Sequence, residues 1–243
     1  MIKFFRHIRK SLLEQSKMGK YFKYAIGEII LVVIGILIAL QVNNWNENRK
    51  LIKQQKGLTA SIKKDLKADI TYLNEYIEKL RRDYEILQDQ SIKVNRISYS
   101  KDSLIHFLKK EIYIFSVTFE GFNNNSYESI KTSGKLDILD EALKQPLYEL
   151  SILQSVNYDK NQGLANDYYD EIENLVRYYP IQVPFAFIKD TSQNDFVWKN
   201  MNKKDMILNL NSWGTVKANY LRVTLGDFIK ILEKTKVVLK LLE

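Results

Sequence analysis

The chain has 243 residues, of which 45% are hydrophobic and 27% are charged, and its formal net charge at pH 7 is +8. This balance excludes a wholly disordered chain, and the length fits a membrane anchor plus one domain of ordinary size. The absence of cysteine and the presence of only two histidines exclude disulfides, thiolate metal sites and a histidine-rich metal site. Nine glycines and three prolines are too few for a many-stranded fold and favour long helices.

Residues 1–23 form a basic tail that precedes the first long apolar run, and Glu14 is its one acidic residue. The tail is expected to stay in the cytoplasm. Its cations are candidates for contact with anionic lipid headgroups, with the tail lying on the inner leaflet as a short amphipathic helix. A tail without a stable helix is the alternative. The candidate lipid-contacting residues are Lys3, Arg6, Arg9, Lys10, Lys17, Lys20 and Lys23.

Residues 24–45 are the predicted transmembrane helix. No side chain from Ile29 to Leu40 is polar, and the uncharged stretch continues to Asn46. As a helix, residues 25–42 would extend about 27 Å, close to the thickness of a bilayer core. A cleaved signal peptide is disfavoured because no small-residue cleavage site follows the run. A buried core helix is disfavoured because basic residues crowd its start.

The distribution of positive charge predicts the orientation of this helix. Carrying the basic tail across the membrane is disfavoured, so residues 46–243 are expected to lie outside the cytoplasmic membrane. The charge bias is modest because basic residues also follow the run, at Arg49, Lys50, Lys53 and Lys56. Trp45 is expected at the outer interface, where indole rings lie at the level of the lipid headgroups.

Four residues of the apolar run are candidates for contact with another membrane helix. Gly35 and Ala39 are one turn apart, and Gly27 precedes them by two turns on nearly the same face. Glu28 falls in the first turn, where it can reach headgroups, pair with a tail lysine or mark a helix contact. Ordinary small residues that face lipid are the alternative interpretation.

A long helix is predicted from Asn46 to about Asn95, because apolar residues recur there in alternating steps of four and three. The apolar seam consists of Leu66, Ile70, Leu73, Ile77, Leu80, Tyr84 and Leu87. Such a seam fits an oligomeric coiled coil or one helix of an intramolecular bundle. The bundle is favoured because later segments have the same periodicity.

Shorter elements are predicted in the middle of the chain. The stretch from Asp102 to Phe119 is predicted to be a helix with Ser103 as its N-cap, followed by an extended exit. A short helix is predicted to follow the asparagine-rich loop before Ser126 and to end near Gly134.

Two further long helices complete the predicted fold. One runs from Leu136 to Tyr179, with Pro146 at a boundary or in a first turn. A loop with one short turn at most is expected over residues 181–200. The last helix is predicted from about Lys203 to the end, with an interruption at Gly214, as the antiparallel partner of the first seam. The predicted fold class is therefore all-α, a single transmembrane helix followed by an antiparallel bundle of long helices.

The sequence predicts no catalytic residue, metal site or cofactor. Asp167, Asp170 and Glu171 share a helix face that could hold a hard cation, but a solvated acidic face is the simpler interpretation. His106 has a serine and an aspartate nearby in sequence, without the elements of a catalytic triad. No phosphate-binding, dinucleotide-binding or zinc-protease motif occurs. Interspersed lysines and glutamates in the domain argue against nucleic-acid binding.

Parts of the sequence resemble a family of small single-pass membrane proteins of Gram-negative bacteria that is catalogued as a domain of unknown function. The resemblance is tight from Met1 to about Lys50 and looser beyond. The stretches that carry it are Met1-Ile2-Lys3-Phe4-Phe5-Arg6, Tyr24-Ala25-Ile26-Gly27-Glu28, Asn43-Asn44-Trp45-Asn46-Glu47 and Ser126-Tyr127-Glu128-Ser129-Ile130-Lys131-Thr132-Ser133-Gly134-Lys135-Leu136. It implies membrane residence and no known activity, and therefore no catalytic residues to transfer.

Three functional hypotheses remain open from the sequence. The favoured one is a periplasmic scaffold, subunit or sensor-like module whose partners are the lipid bilayer, a membrane or periplasmic protein, and a second copy of the chain. The alternative is a membrane-bound enzyme with a carboxylate or metal-assisted site on the bundle. The third is a regulator that faces the cytoplasm and uses its basic tail on lipid.

Overall fold

The computed structural model describes residues 18–181 and 191–242. The chain there is mainly α-helical and contains no strand within those two ranges, which confirms the all-α class. A short 3-10 helix spans Leu136–Ile138. The α-helices are α1 (Met18–Ile97), α2 (Lys101–Lys110), α3 (Asn125–Thr132), α4 (Glu141–Tyr178), α5 (Thr191–Asn200) and α6 (Lys203–Leu241).

The chain divides into two compact units, Met1–Gly57 and Leu58–Glu243. Within its described residues, the first unit consists of the start of α1. That stretch is long and apolar enough to cross a membrane, and none of its most apolar window is buried. The predicted domain boundaries, at residues 23 and 45, stay predictions.

The core of the second unit contains the apolar seam predicted on the first long helix. Leu73 and Leu80 are completely buried, and Leu66, Ile77 and Leu87 are nearly so. Ile70 and Tyr84 are partly buried against the same core. Because these residues pack against other helices of the same chain, the seam serves an intramolecular helical arrangement.

Helix α6 lies antiparallel to both α1 and α4, whereas α4 is parallel to α1. The parallel pair is marked by Gln154 of α4, whose Nε2 donates to Asp69 of α1 at 2.9 Å. The α4–α6 pair is marked by side-chain hydrogen bonds of Glu171 with Ser212, Asn161 with Thr224 and Glu149 with Lys234. The prediction that α6 pairs chiefly with the α1 seam is wrong, since its closest packing is against α4.

Several predicted details of the helices are corrected by the structure. The N-cap of α2 is Ser100, whose Oγ accepts from the Ser103 amide at 3.3 Å. Pro146 lies inside α4, because the helix begins before it, at Glu141. The Asp140 carboxylate caps this start by accepting from the Ala142 amide at 2.9 Å. Gly214 does not interrupt α6, since tertiary packing outweighs the cost of about 1 kcal/mol for one glycine.

The remaining boundaries agree in part with the prediction. Helix α3 ends before Gly134, whose φ of 68° suits glycine, and the Lys135 amide closes the turn on the Ile130 carbonyl at 3.0 Å. Helix α5 occupies part of the expected loop at residues 181–200, so that expectation is wrong over residues 191–200. The helix at residues 191–200 is held in place by Trp198, whose ring is buried and stacks on Tyr179.

Candidate functional site

The candidate contact residues of the membrane helix all lie on α1. Gly35 and Ala39 are one turn apart and exposed, and a Cβ added at Gly27 or Gly35 would meet no atom within 4 Å. Glu28 is partly buried. Their faces therefore have room for lipid or a second helix, and the contact role of these residues stays a prediction.

Trp45 is also on α1, and its side chain is exposed. The Arg49 guanidinium carbon, one turn later, lies 5.9 Å from the centre of the indole ring. Lys23 is exposed. The other candidate lipid-contacting side chains, those of Lys3, Arg6, Arg9, Lys10, Lys17 and Lys20, lie outside the described residues.

The candidate residues for an acidic metal site or a catalytic triad do not point toward a common site. Asp167 and Asp170 are exposed, whereas the Glu171 carboxylate accepts from the Ser212 hydroxyl at 3.0 Å. His106 is on the surface of α2, with its Nε2 3.4 Å from a Glu111 carboxylate oxygen. Among the residues that the structure describes, no group of three or more acidic or histidine side chains could hold a metal ion.

The structure instead reveals a non-helical stretch that contacts α1, α4 and α6. Residues 112–124, here called the core segment, have no regular secondary structure, yet Ile114 and Phe119 are buried in the core. Phe119 contacts Tyr76 of α1 and Phe228 of α6, with ring centres 5.3 and 4.5 Å away. The core segment thus separates parts of α1 from α6, which explains why α6 packs more closely on α4.

Carboxylates of α1 bind amide groups of the core segment. Asp83 accepts from the Val117 amide at 3.2 Å and from the Ser116 hydroxyl at 2.8 Å. Asp69, which has no exposed surface, accepts from both the backbone amide and the side-chain amide of Asn123, at 2.6 and 2.9 Å. Burial raises the pKa of Asp69, and these hydrogen bonds oppose that rise.

Side chains of α4 and α6 bind the carbonyl groups of the core segment. The Lys217 ammonium donates to the carbonyls of Tyr113 and Phe115, at 2.8 and 3.0 Å. The Tyr220 hydroxyl donates to the Val117 carbonyl at 2.9 Å, and Tyr168 of α4 donates to the Ile114 carbonyl. The backbone groups that a helix would satisfy internally are therefore satisfied by buried side chains.

Lys217 is completely buried, and its charge is balanced mainly by dipoles and rings. Its Nζ lies 4.8, 5.3 and 5.8 Å from the ring centres of Tyr113, Trp213 and Tyr168. Burial lowers the pKa of Lys217 to about 8, and the negative charge of Asp83 limits the decrease. Buried among these rings, the amine holds the core segment and is not open to a substrate.

Lys217 gives a testable pH dependence of stability. Its pKa of about 8 in the folded protein is below the ordinary lysine value of 10.5. Between these values the unfolded chain binds the proton more strongly, so the free energy of unfolding rises with pH. The rise should total about 2 kcal/mol from pH 8 to pH 10. Above pH 10 it should reverse, because burial raises the pKa of Tyr76 and Tyr168, which keep their protons while unfolded tyrosines lose theirs.

Denaturant unfolding of Lys217→Met at each pH measures this effect. The variant should lack the rise between pH 8 and pH 10. Lys236→Met is the matched control, because Lys236 is exposed on the same helix, and it should keep the rise. A rise of equal size in Lys217→Met would show that the lysine is not its source. The comparison uses the slope with pH, since the loss of two hydrogen bonds also changes absolute stability.

Sequence reasoning missed the side chains that hold the core segment. A signal for them exists, because α1 has polar residues at every seventh position, at Asp69, Tyr76, Asp83 and Gln90. All four are buried beside the apolar seam. Buried polar residues need hydrogen-bond partners. Asp69 and Asp83 bind amides of the core segment, whereas Tyr76 pairs with the Tyr220 hydroxyl and Gln90 donates to the Glu111 carbonyl. The arrangement as a whole holds the core segment in one conformation.

Comparison with known proteins adds one match. No curated protein and no solved structure matched the chain. Residues 28–144 match a family model described as a family of unknown function, DUF6090. The matched range begins at Glu28 and includes the core segment together with Asp69 and Asp83, which bind its amide groups, but not Lys217. Over just under half of its length, the chain is thus similar to a family of unknown function, which confirms the resemblance predicted from its sequence.

Proposed function

We propose that the protein is a single-pass protein of the bacterial inner membrane, with a cytoplasmic N-terminus and a periplasmic binding module at residues 46–243. The module would act by binding a partner, as a scaffold, a subunit or a sensor-like domain. The observation that carries the proposal is the exposure of apolar side chains on every side of α1 near its start.

Six consecutive side chains illustrate this exposure. From Ile29 to Ile34, the exposed fraction of each side chain lies between 47% at Val33 and 63% at Ile29. A helix that packed on its own domain would bury one side and expose the other. A helix that is apolar on all sides and unburied needs an apolar surrounding, and a bilayer supplies one with no unsatisfied backbone group.

A binding role is supported by how the polar side chains of the second unit are used. Asp69, Asp83 and Lys217 bind backbone groups of the core segment. Asp167 and Asp170 are exposed, and among the described residues they belong to no group of three or more side chains that could hold a metal ion. These contacts favour a module with a fixed surface over the alternative of a carboxylate-based enzyme.

The orientation is supported by the basic tail. Translocation of its lysines and arginines is disfavoured, whereas a long domain crosses the membrane largely regardless of its own charge. The negative inner leaflet would also attract the tail.

Labelling of single cysteines tests the orientation, because the natural chain has no cysteine. Tyr99→Cys is a suitable outer site, since the Tyr99 side chain is 87% exposed, and Ser11→Cys marks the tail. In spheroplasts, a membrane-impermeant maleimide should label Tyr99→Cys at once and Ser11→Cys only after the membrane is permeabilised. The reverse pattern would contradict the orientation, and protection of both sites would support a regulator that faces the cytoplasm.

A further inference from the structure

A groove of about 430 Å³ lies between the end of α1 and the beginning of α6. Its apolar lining includes Leu87 and Val94 from α1 and Leu210 from α6. Its polar lining includes the side-chain amides of Gln88 and Asn211 and the hydroxyls of Ser91 and Thr215. Charged residues make up 27% of the chain, yet none of the described residues that line the groove is charged.

Small residues leave the groove open where larger ones would fit. Gly214 and Ala218, one turn apart on α6, both line it. A Cβ added at Gly214 would meet no atom of the described residues within 4 Å, so none of them requires glycine there for steric reasons. Protein interiors otherwise have few voids larger than a water molecule. A volume of about 430 Å³ is within the range of small-molecule sites.

Gln90 supplies a second, independent indication of a ligand. The side chain is 8% exposed and lines the groove. Its Nε2 donates to the Glu111 carbonyl at 3.2 Å, which fixes the orientation of the amide, while its buried Oε1 has no hydrogen-bond partner among the described residues. Unpartnered buried acceptors are rare in folded proteins. The indole N–H of Trp213, which also lacks a hydrogen bond within the described part of the chain, lies near the Tyr168 hydroxyl. Gln90 Oε1 is therefore the buried side-chain acceptor there that is left without a donor.

We propose that this groove binds an uncharged, elongated amphipathic small molecule, whose apolar body lies on Leu87, Val94 and Leu210 and whose N–H or O–H group donates to Gln90 Oε1. A charged group would lose its hydration there without meeting an opposite charge. The α1 part of the lining runs from Tyr84 to Asn95, about 17 Å along the helix, which suits an elongated ligand.

This proposal deepens the binding role stated above and rests on it in one respect, since a bound small molecule is what a sensor-like module would detect. The two can fail separately. Ligand binding is measured on the purified full-length chain in detergent, whereas the orientation is measured in spheroplasts. Loss of one result leaves the other unchanged.

A matched pair of probes tests the ligand class. N-phenyl-1-naphthylamine is uncharged, apolar and has one N–H donor, and 1-anilinonaphthalene-8-sulfonate is its sulfonated, anionic relative. The chain has three tryptophans, so the double substitution Trp45→Phe and Trp198→Phe leaves Trp213 as a reporter in the wall of the groove. Quenching of Trp213 emission should saturate with the uncharged probe, and the anionic probe should bind at least about tenfold more weakly.

Variants locate the site. Gly214→Leu with Ala218→Leu should fill the groove and abolish the saturable quenching. Gly226→Leu is the matched control, because Gly226 is exposed on the same helix with open space at its Cβ, and quenching should persist. Gln90→Leu, similar in size, should weaken binding about tenfold.

Quenching that does not saturate, equal affinity for both probes, or unchanged binding in Gln90→Leu would each overturn the proposal. The comparison of the two probes and the Gln90 variant keep the test decisive if the double leucine variant does not fold. Circular dichroism of every variant reports whether it has folded.

Discussion

Arginine at both Val33 and Leu37 is expected to release the chain from the membrane. Both side chains belong to the exposed apolar run of α1, at 47% and 58% exposure, and are one turn apart. An arginine near the centre of a transmembrane helix costs about 2.5–3.5 kcal/mol for insertion, so two cost about 5–7 kcal/mol. The fraction of protein that stays in the pellet after alkaline carbonate extraction measures the effect.

The matched control places two arginines on a later, exposed part of the same helix. Ile86→Arg with Ile92→Arg replaces side chains that are 38% and 50% exposed in the second unit. This variant and the natural chain are both expected to stay in the carbonate-resistant pellet. If the Val33 and Leu37 variant also stayed there, or if both variants were released, the apolar run would not be the anchor.

Phe228→Ala is expected to destabilise the second unit by about 3–5 kcal/mol, the usual loss for a buried phenylalanine. Phe228 of α6 has no exposed surface. Its ring centre lies 4.5 Å from that of Phe119 in the core segment and 5.2 Å from that of Tyr76 in α1. The substitution therefore leaves a cavity where three parts of the chain meet. Denaturant unfolding, followed by circular dichroism, gives the change in free energy.

Phe196→Ala is the control for this substitution, because the Phe196 side chain on α5 is 71% exposed. Its free energy of unfolding should change by no more than about 0.5 kcal/mol. A loss of less than about 1 kcal/mol in Phe228→Ala would mean that the core segment is not held against α6 in the way described.

Hydrophobic periodicity was sufficient to predict the long helices and their buried faces. The steps of four and three from Leu66 to Leu87 place one face in the core, and Leu73 and Leu80 are completely buried there. The same rule holds for α6, where Leu221 and Phe228 are fully buried. Such patterns are local, since a helix turns once in 3.6 residues whatever it packs against. This is why the helices could be predicted without their partners.

The conformation of the core segment could not be predicted from hydrophobic periodicity, because it is stabilised by contacts between residues that are distant in sequence. Its carbonyls and amides bind Lys217 and Asp83, about a hundred and about thirty residues away. The exposed and buried residues around Ile114 have no helical period, so the composition indicated only an extended exit. The partner of α6 was predicted wrongly for the same reason. A periodic apolar face shows that a helix packs on something, but it does not identify the helix or irregular segment on which it packs.

The apolar run of α1 is expected to span a bilayer. Nitroxide scanning tests it most directly, with single cysteines at successive positions from Glu28 to Asn44 of the otherwise cysteine-free chain in liposomes. Collision with oxygen and with a water-soluble nickel chelate reports the depth of each label. The predicted result is an oxygen accessibility that peaks near Gly35 and falls toward both ends, without helical periodicity. Nickel accessibility that alternates along the run with a period of about 3.6 residues would contradict it, because such a helix would lie on a surface.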